Sequence, residues 1–372
     1  MFDLSFDYLL TMGIWLAVLP VLFVALLVFR RQRKRRKLSL RIANFGLSLW
    51  MLLAGLTAVE LYFAVLYDQS DSFNMTNVSK KWFRRWVTQK PLKFQGREGI
   101  PYRDDVDFPT SLQPGEQHVC FIGDSFTFGH GVRHVKDRFS NRVRVELQKE
   151  APGRFLVTNI ADAGRDLRWV SEVADRLVDN QLPVTTLVYV LCLNDIETFD
   201  PKHRDVPQTI SAKSPRSLFF SETYFFNLLY FRSQQATVPG VRNYYAHVED
   251  SYRGVAWNRM FAKLIELRNT CREANIDFRV VVFPFLHNLG PDYPFRDAHE
   301  RIVEACRRED VPCLDLLPLL EPHARERLVV NMFDAHPNER AHELAAIAIE
   351  HNLLNDLVEK AKQPLDAPAE NQ

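Results

Sequence analysis

The stretch HVCFIGDSFTFG, residues 118–129, decides how the rest of the chain is read. Its first five residues form a short apolar run that ends at once in Gly123-Asp124-Ser125. A run of that length bounded by a turn signal reads as a buried strand. Helical spacing follows over 138–149, where Phe139, Val143, Val145 and Leu147 recur among charges. A second strand is predicted over 155–160 (FLVTNI), ending at Asn159 and leading into Asp162-Ala163-Gly164. A helix over 167–182 precedes a buried strand over 186–193 (TLVYVLCL), which closes on Asn194-Asp195. Beyond a long insertion come a helix over 257–274, a strand over 278–285 and a helix over 298–309. A short strand near 313–316 and a helix starting after Pro337, which suits a first helical turn, complete the pattern. The tail 361–372 is rich in Pro and Ala and is expected to be unstructured.

Strands that are apolar on both faces and alternate with helices imply a parallel sheet covered on each side. Ligands and reacting groups gather at the carboxyl ends of such strands. Ser125, Gly164 and Asn194 all fall there, and the last loop carries Asp334-Ala335-His336-Pro337-Asn338.

The N-terminal part has a different character. Residues 8–29 carry no charge, a length sufficient to cross a bilayer core of about 30 Å. Residues 42–67 form a second apolar run, interrupted only by Asn44 and Glu60. Between the two runs lie Arg30, Arg31, Arg33, Lys34, Arg35, Arg36, Lys37 and Arg41. Such a loop stays in the cytoplasm by the positive-inside rule, so both ends of the hairpin face outward. The charge stands after the first apolar run instead of before it, unlike a secretory signal peptide. The expectation is a two-helix membrane anchor in a bacterial inner membrane, with the N-terminus and the following domain facing the periplasm. Glu60 is costly within a span and must reach the outer headgroups or a partner, such as another membrane protein. Trp82 and Trp86 among Lys80, Lys81, Arg84 and Arg85 read as an amphipathic segment, resting on the membrane surface or simply solvated.

The formal net charge of +1 conceals this asymmetry, because removing the eight-residue basic cluster leaves 39 basic against 46 acidic residues. The remainder is mildly acidic, which argues against nucleic acid as a partner. With 47% hydrophobic residues the chain is neither disordered nor a small disulfide scaffold. Cys120 and Cys192 fall in apolar strands; an oxidising compartment permits a Cys306–Cys313 bridge, while Cys271 has no evident partner. No cysteine spacing resembles a zinc site and no cofactor is implied. His130 and His134, spaced i,i+4, lack an apparent third ligand, and no metal is expected.

Ester cleavage by a serine needs a base, a group that orients the base, and donors for the developing oxyanion. Ser125 in its Gly-flanked turn supplies the nucleophile, His336 the base and Asp334 the orienting carboxylate. The backbone N–H groups of Ser125 and Gly164 and the side-chain amide of Asn194 can converge as oxyanion donors. Asp124 holds the turn, and Asp195, Arg165 and His130 are further candidates to line the pocket. These blocks resemble the SGNH (GDSL-type) hydrolase superfamily. They match as Gly123 to Gly129, Asn159 to Gly164, Asn194-Asp195 and Asp334 to Asn338, over roughly residues 116–356. The last block departs from the usual Asp-x-x-His in having Asp-x-His. That leaves a backbone carbonyl or a water as alternative orienting groups for the imidazole.

The resemblance implies a flavodoxin-like three-layer α/β/α hydrolase domain with a central parallel sheet, preceded by the two transmembrane helices. The expected organisation is a membrane anchor over 1–69, a juxtamembrane linker over 70–115, and the hydrolase domain over 116–356 with an insertion over 197–256. Residues 357–372 form the helix end and tail. The insertion centre, FFSETYFFNLLYF over 219–231, has seven rings in thirteen residues. It reads as a helix packed by aromatic knobs, a lid over Ser125, or a face for membrane or partner. The expected activity is serine esterase action, through an acyl-serine, on O-acyl (O-acetyl) groups of an exported glycan or envelope lipid. An alternative is an O-acyltransferase working beside a multi-span membrane acyltransferase. A third, from another class, is a catalytically inert glycan-binding or assembly protein.

Overall fold

The computed structural model describes residues 4–95, 97–200 and 213–363. Part of the insertion (201–212) and the end of the predicted tail (364–372) lie outside the described residues. The chain divides into two compact units. One joins Met1–Arg85 to Pro207–Arg242, and the other joins Trp86–Val206 to Asn243–Gln372. The predicted insertion is thus shared: its aromatic centre belongs with the N-terminal hairpin.

The larger unit contains a strand pair, β1 (Lys90–Phe94) and β2 (Arg97–Tyr102), ahead of the main sheet. The main sheet is formed by β3 (Gln117–Gly123), β4 (Phe155–Ala161), β5 (Thr186–Cys192), β6 (Asp277–Phe283) and β7 (Cys313–Asp315). Its order is β4-β3-β5-β6-β7, and every neighbouring pair is parallel. In order of appearance this is the 2-1-3-4-5 flavodoxin-like arrangement, whose topological switch point lies beside its first strand, here β3. All seven residues of β5 are buried, which is why that strand reads as a continuous apolar run. A second short pair, β8 (Val329–Asn331) and β9 (Asp334–Pro337), is antiparallel. The helix Glu339–Leu353 follows, capped by the Asn338 side chain, which accepts from Arg340 N and Ala341 N. All five cysteines are free, and Cys306 and Cys313 are in hydrogen-bonding contact.

In the smaller unit the helices Phe6–Arg35 and Arg41–Leu61 pack as a hairpin, the second prolonged by a wide π turn over Tyr62–Leu66. Both are long and apolar enough to cross a membrane, and only 6% and 17% of their most apolar windows are buried. The core helices of a water-soluble protein would be mostly buried, so these exposed faces are consistent with a membrane anchor. The pair is held by Trp15 Nε1 donating to Thr57 Oγ1 (2.8 Å) and Trp50 Nε1 donating to the Leu19 carbonyl (2.8 Å). A side chain on Gly46 would come 2.8 Å from Leu26 Cδ2, a measure of how closely the helices approach.

One reading of the sequence is corrected here. Trp82 and Lys81, expected on a surface-resting or solvated face, are buried within the smaller unit. Lys81 Nζ donates to the carbonyls of Phe63 (3.0 Å), Ala64 (2.8 Å) and Tyr67 (2.8 Å). It thereby satisfies the open end of the second apolar helix. Glu60 is buried as well. Its carboxylate accepts from Tyr224 N (2.7 Å) and Phe225 N (2.9 Å), within the aromatic segment of the insertion.

Candidate active site

Strand β3 delivers Ser125 at its carboxyl end. Only glycine fits at 123, because a side chain there would lie 2.3 Å from Thr127 Oγ1 and 2.8 Å from the Val190 carbonyl. Asp124 caps the single helical turn Ser125–Phe128, its Oδ1 accepting from Phe126 N at 2.9 Å. Gly129, at φ 72°, then reverses the chain over the buried Arg138 side chain.

The opposing element is β9. Extended backbone sends residues i and i+2 to the same face, so Asp334 and His336 project together. The Asp-x-His spacing is therefore what a strand requires. His336 Nδ1 lies 2.6 Å from Asp334 Oδ1, and His336 Nε2 lies 2.8 Å from Ser125 Oγ. His336 N also donates to Asp334 Oδ1 (3.2 Å), locking the carboxylate. With Asp334 accepting from Nδ1–H, Nε2 is left as the acceptor facing the serine hydroxyl. Ser125 Oγ has a second, longer contact to Asp124 Oδ2 at 3.3 Å, so the shorter path to the imidazole dominates.

His130 is drawn in as well. Its ring stacks on His336 with centroids 4.3 Å apart, and its Nε2 is 3.6 Å from Asp334 Oδ2. The ligand atoms of His130, Asp334 and His336 lie within 4.8 Å of one another, close enough to hold a metal ion. The two imidazole rings are stacked, with their planes 29° apart. His134 goes elsewhere, edge-on to Trp86 at 5.4 Å.

The remaining candidates separate. Asn194 follows β5 and its side chain hydrogen-bonds Asp124, leaving Oδ1 without a partner. The bond to Asp124 uses one amide hydrogen and frees the other for an oxyanion. Gly164 stands at φ 74° in the turn after β4. Strands β4 and β5 flank β3 with Gly123 in register with Ala161 and Val190, so both turns open beside Ser125. Asp195 is fully buried, accepting from Tyr189 Oη (2.5 Å) and Cys192 N (3.3 Å). Burial first, and the neighbouring Asp124 charge second, raise its pKa well above the usual carboxylate range. It braces the strand end. Arg165 is exposed and paired with Asp162 at 2.9 Å.

Burial also pushes Asp124 up to about 6, opposed by Phe126 N, the His336 charge, Ser125 and Asn194. Several supporting residues were invisible to motif reading. Arg103 is buried and donates to the carbonyls of Phe128 (3.1 Å), Gly129 (2.9 Å) and Val132 (2.7 Å). Arg138, also buried, lies 3.5 Å from Asp104 and donates to Asn141 Oδ1 at 2.9 Å. Together they clamp the turn behind Ser125. Asn159 of the second block serves the same turn, donating to the Thr127 carbonyl (2.8 Å) and Ser140 Oγ (2.7 Å). An aromatic wall stands nearby: Phe126 is 5.5 Å from His336 and 6.5 Å from Phe285, which contacts Tyr245 at 5.1 Å. Glu197 accepts from Tyr244 Oη, and burial raises its carboxyl to about 7.

Residues 121–344 match the GDSL-like Lipase/Acylhydrolase family. The chain belongs to this family. As a GDSL-family member it has the α/β fold with a central parallel sheet expected from its four sequence motifs. No curated protein matches the chain. Among solved structures it is similar to a two-domain esterase (CEX) active on acetylated mannans, at 14% identity and TM-score 0.41. That match covers 69% of this chain and 54% of the other, so the chain spans about half that esterase's length. TesA is similar at 13% identity and TM-score 0.43, covering 65% and 99% of the two chains. A catalytic mutant of Axe2, an acetylxylan esterase from Geobacillus stearothermophilus, is similar at 15% identity and TM-score 0.41, covering 64% and 94%.

Proposed function

We propose that this GDSL-family chain is a membrane-anchored serine esterase acting outside the cytoplasm on O-acyl, chiefly O-acetyl, esters of an exported glycan or envelope lipid. The observation that carries the catalytic part is the continuous path Asp334 Oδ1–His336–Ser125 Oγ, at 2.6 and 2.8 Å. Ser125 Oγ attacks the acyl carbonyl while His336 Nε2 takes its proton, and Asp334 stabilises the imidazolium without itself being protonated. The Ser125 and Gly164 N–H groups and the free amide hydrogen of Asn194 receive the oxyanion. Collapse expels the alcohol, which takes the proton from His336, and leaves acyl-Ser125. Water, deprotonated by the same imidazole, then releases the acid. The cellular placement is supported by two apolar helices flanking a dense basic loop. The substrate class follows from that placement, since an anchored site meets envelope esters first.

The test is hydrolysis of p-nitrophenyl acetate and butyrate by the detergent-solubilised full chain, beside Ser125→Ala and His336→Ala. Turnover abolished in both variants is expected. Wild-type turnover no higher than that of folded Ser125→Ala overturns simple hydrolysis, and acyl transfer to added sugar in the same assay would redirect the reading to a transferase.

A further inference from the structure

The aromatic centre of the insertion is built into the hairpin's unit. Two short helices, Leu218–Glu222 and Phe225–Thr237, carry it, and both belong to the hairpin's unit. The segment is fastened from two sides. Glu60 of the second apolar helix accepts from Tyr224 N and Phe225 N. Asn77 donates through its side chain to the carbonyls of Ser221 (2.6 Å) and Thr223 (2.8 Å), and through its backbone to Asn227 Oδ1 (2.8 Å). Tyr8 near the start of the first apolar helix meets Tyr224 edge-on at 5.0 Å, and Phe63 meets Phe225 at 5.2 Å. The segment therefore sits where both apolar helices end, away from the basic loop.

Among the described residues, nothing covers one side of this segment. Leu218 is 79% exposed, Phe219 51%, Phe220 37% and Leu229 47%. Phe219 stacks on Phe226 (4.6 Å) and Phe220 approaches Tyr230 (5.9 Å), so the rings form one patch. Lys213 and Arg216, both exposed, precede it.

Helix length sets its depth. From Arg41 to Glu60 is 19 residues, or about 28 Å at 1.5 Å per residue. That nearly matches the hydrocarbon thickness of about 30 Å. With the basic loop in one headgroup layer, Glu60 and the helices fastened to it stand at the opposite boundary. Aromatic rings on an amphipathic element favour that boundary, and flanking basic residues favour anionic headgroups.

We infer that the 218–230 segment is an interfacial foot: its Leu218, Phe219, Phe220 and Leu229 side chains enter the headgroup–acyl boundary of the bilayer beside the hairpin. The occupant of the patch is lipid, because the patch continues the exposed apolar surface of the two helices at the depth where they leave the membrane. This rests on the membrane reading of the hairpin.

The test labels the full chain, its five native cysteines replaced by alanine, at one introduced cysteine with an environment-sensitive fluorophore, at Phe219→Cys, Leu218→Cys or, mid-helix, Ile14→Cys. The proteins are reconstituted into phosphatidylcholine vesicles containing phosphatidylglycerol. Separate vesicle sets carry nitroxide lipids with the spin label near the ester carbonyls or near the chain ends. The foot predicts that labels at 218 and 219 lose most fluorescence to the shallow nitroxide, while the label at 14 loses most to the deep one. Quenching at 14 with none at 218 and 219 overturns the foot and leaves the anchor standing. Blue-shifted but unquenched emission at 218 and 219 also overturns it, since protein then covers the patch. No quenching at 14 removes the anchor itself, and the foot with it.

Discussion

Each unit of this protein buries a carboxylate that accepts two hydrogen bonds, in one case from chain far away in sequence and in the other from a residue two positions on, yet the two do opposite work. Glu60 receives the N–H groups of Tyr224 and Phe225 at the start of a helix, and both of its oxygens are taken up by backbone. Asp334 receives His336 twice on one oxygen and faces His130 with the other. Its partner is a side chain that can itself pick up a proton, and a hydroxyl stands on that partner's far side. A carboxylate tied to backbone stabilises a fold; the same group tied to an imidazole, with a nucleophile next in line, organises a reaction. The hairpin unit's Glu60 and Lys81 therefore end in backbone, whereas Asp334 leads through His336 to Ser125.

Substitutions should separate the two kinds of carboxylate. The largest effect belongs to the reacting pair: Ser125→Ala or His336→Ala should each lower kcat/KM for p-nitrophenyl esters by about 1,000-fold or more, and the double variant should be no worse than either single one. Additive losses would break the unity of the pair. Asn194→Ala should lose about 100- to 1,000-fold in kcat with KM little changed, as expected of a donor used only in the transition state. A loss confined to KM would instead assign Asn194 to substrate binding. Glu60→Gln keeps one acceptor and loses the other, so the hairpin unit should lose about 1–3 kcal/mol of stability. Limited proteolysis would read this as faster cleavage around 213–242, with ester turnover unchanged. Equal loss of turnover would erase the distinction between the two carboxylates.

The smallest effect is one of pH. Burial raises Glu197 to about 7 against an ordinary 4.5, so the folded state holds this proton more tightly than the unfolded state. Its contribution is complete below pH 4.5 and is lost as pH rises through about 7. Glu197→Gln should therefore flatten the decline in Tm between pH 5 and 8, and an unchanged slope would show that Glu197 does not govern it.

The sheet was legible because its strands are buried on both faces: TLVYVLC has no polar face to blur the signal, and its limits differ from expectation by one residue. The β8–β9 pair was not legible, being three and four residues long and polar at the positions that matter. For the same reason the Asp-x-His spacing looked like a departure until a strand was seen to carry it. Ser125 and His336 could be singled out by motif. The buried arginines behind them could not, because Arg103 and Arg138 read as solvated charges until the carbonyls of the nucleophile turn are placed around them. Glu60 was recognisable as a costly residue, but its partners lie 164 and 165 positions away and no local pattern connects them.

The central claim is that His336, oriented by Asp334, activates Ser125. It is tested most directly by intact and peptide mass spectrometry of the full chain after exposure to a fluorophosphonate. The account predicts one adduct, on the peptide containing Ser125, absent from Ser125→Ala and much slower to form in His336→Ala. An adduct on another residue, or equal labelling in folded His336→Ala, would contradict it.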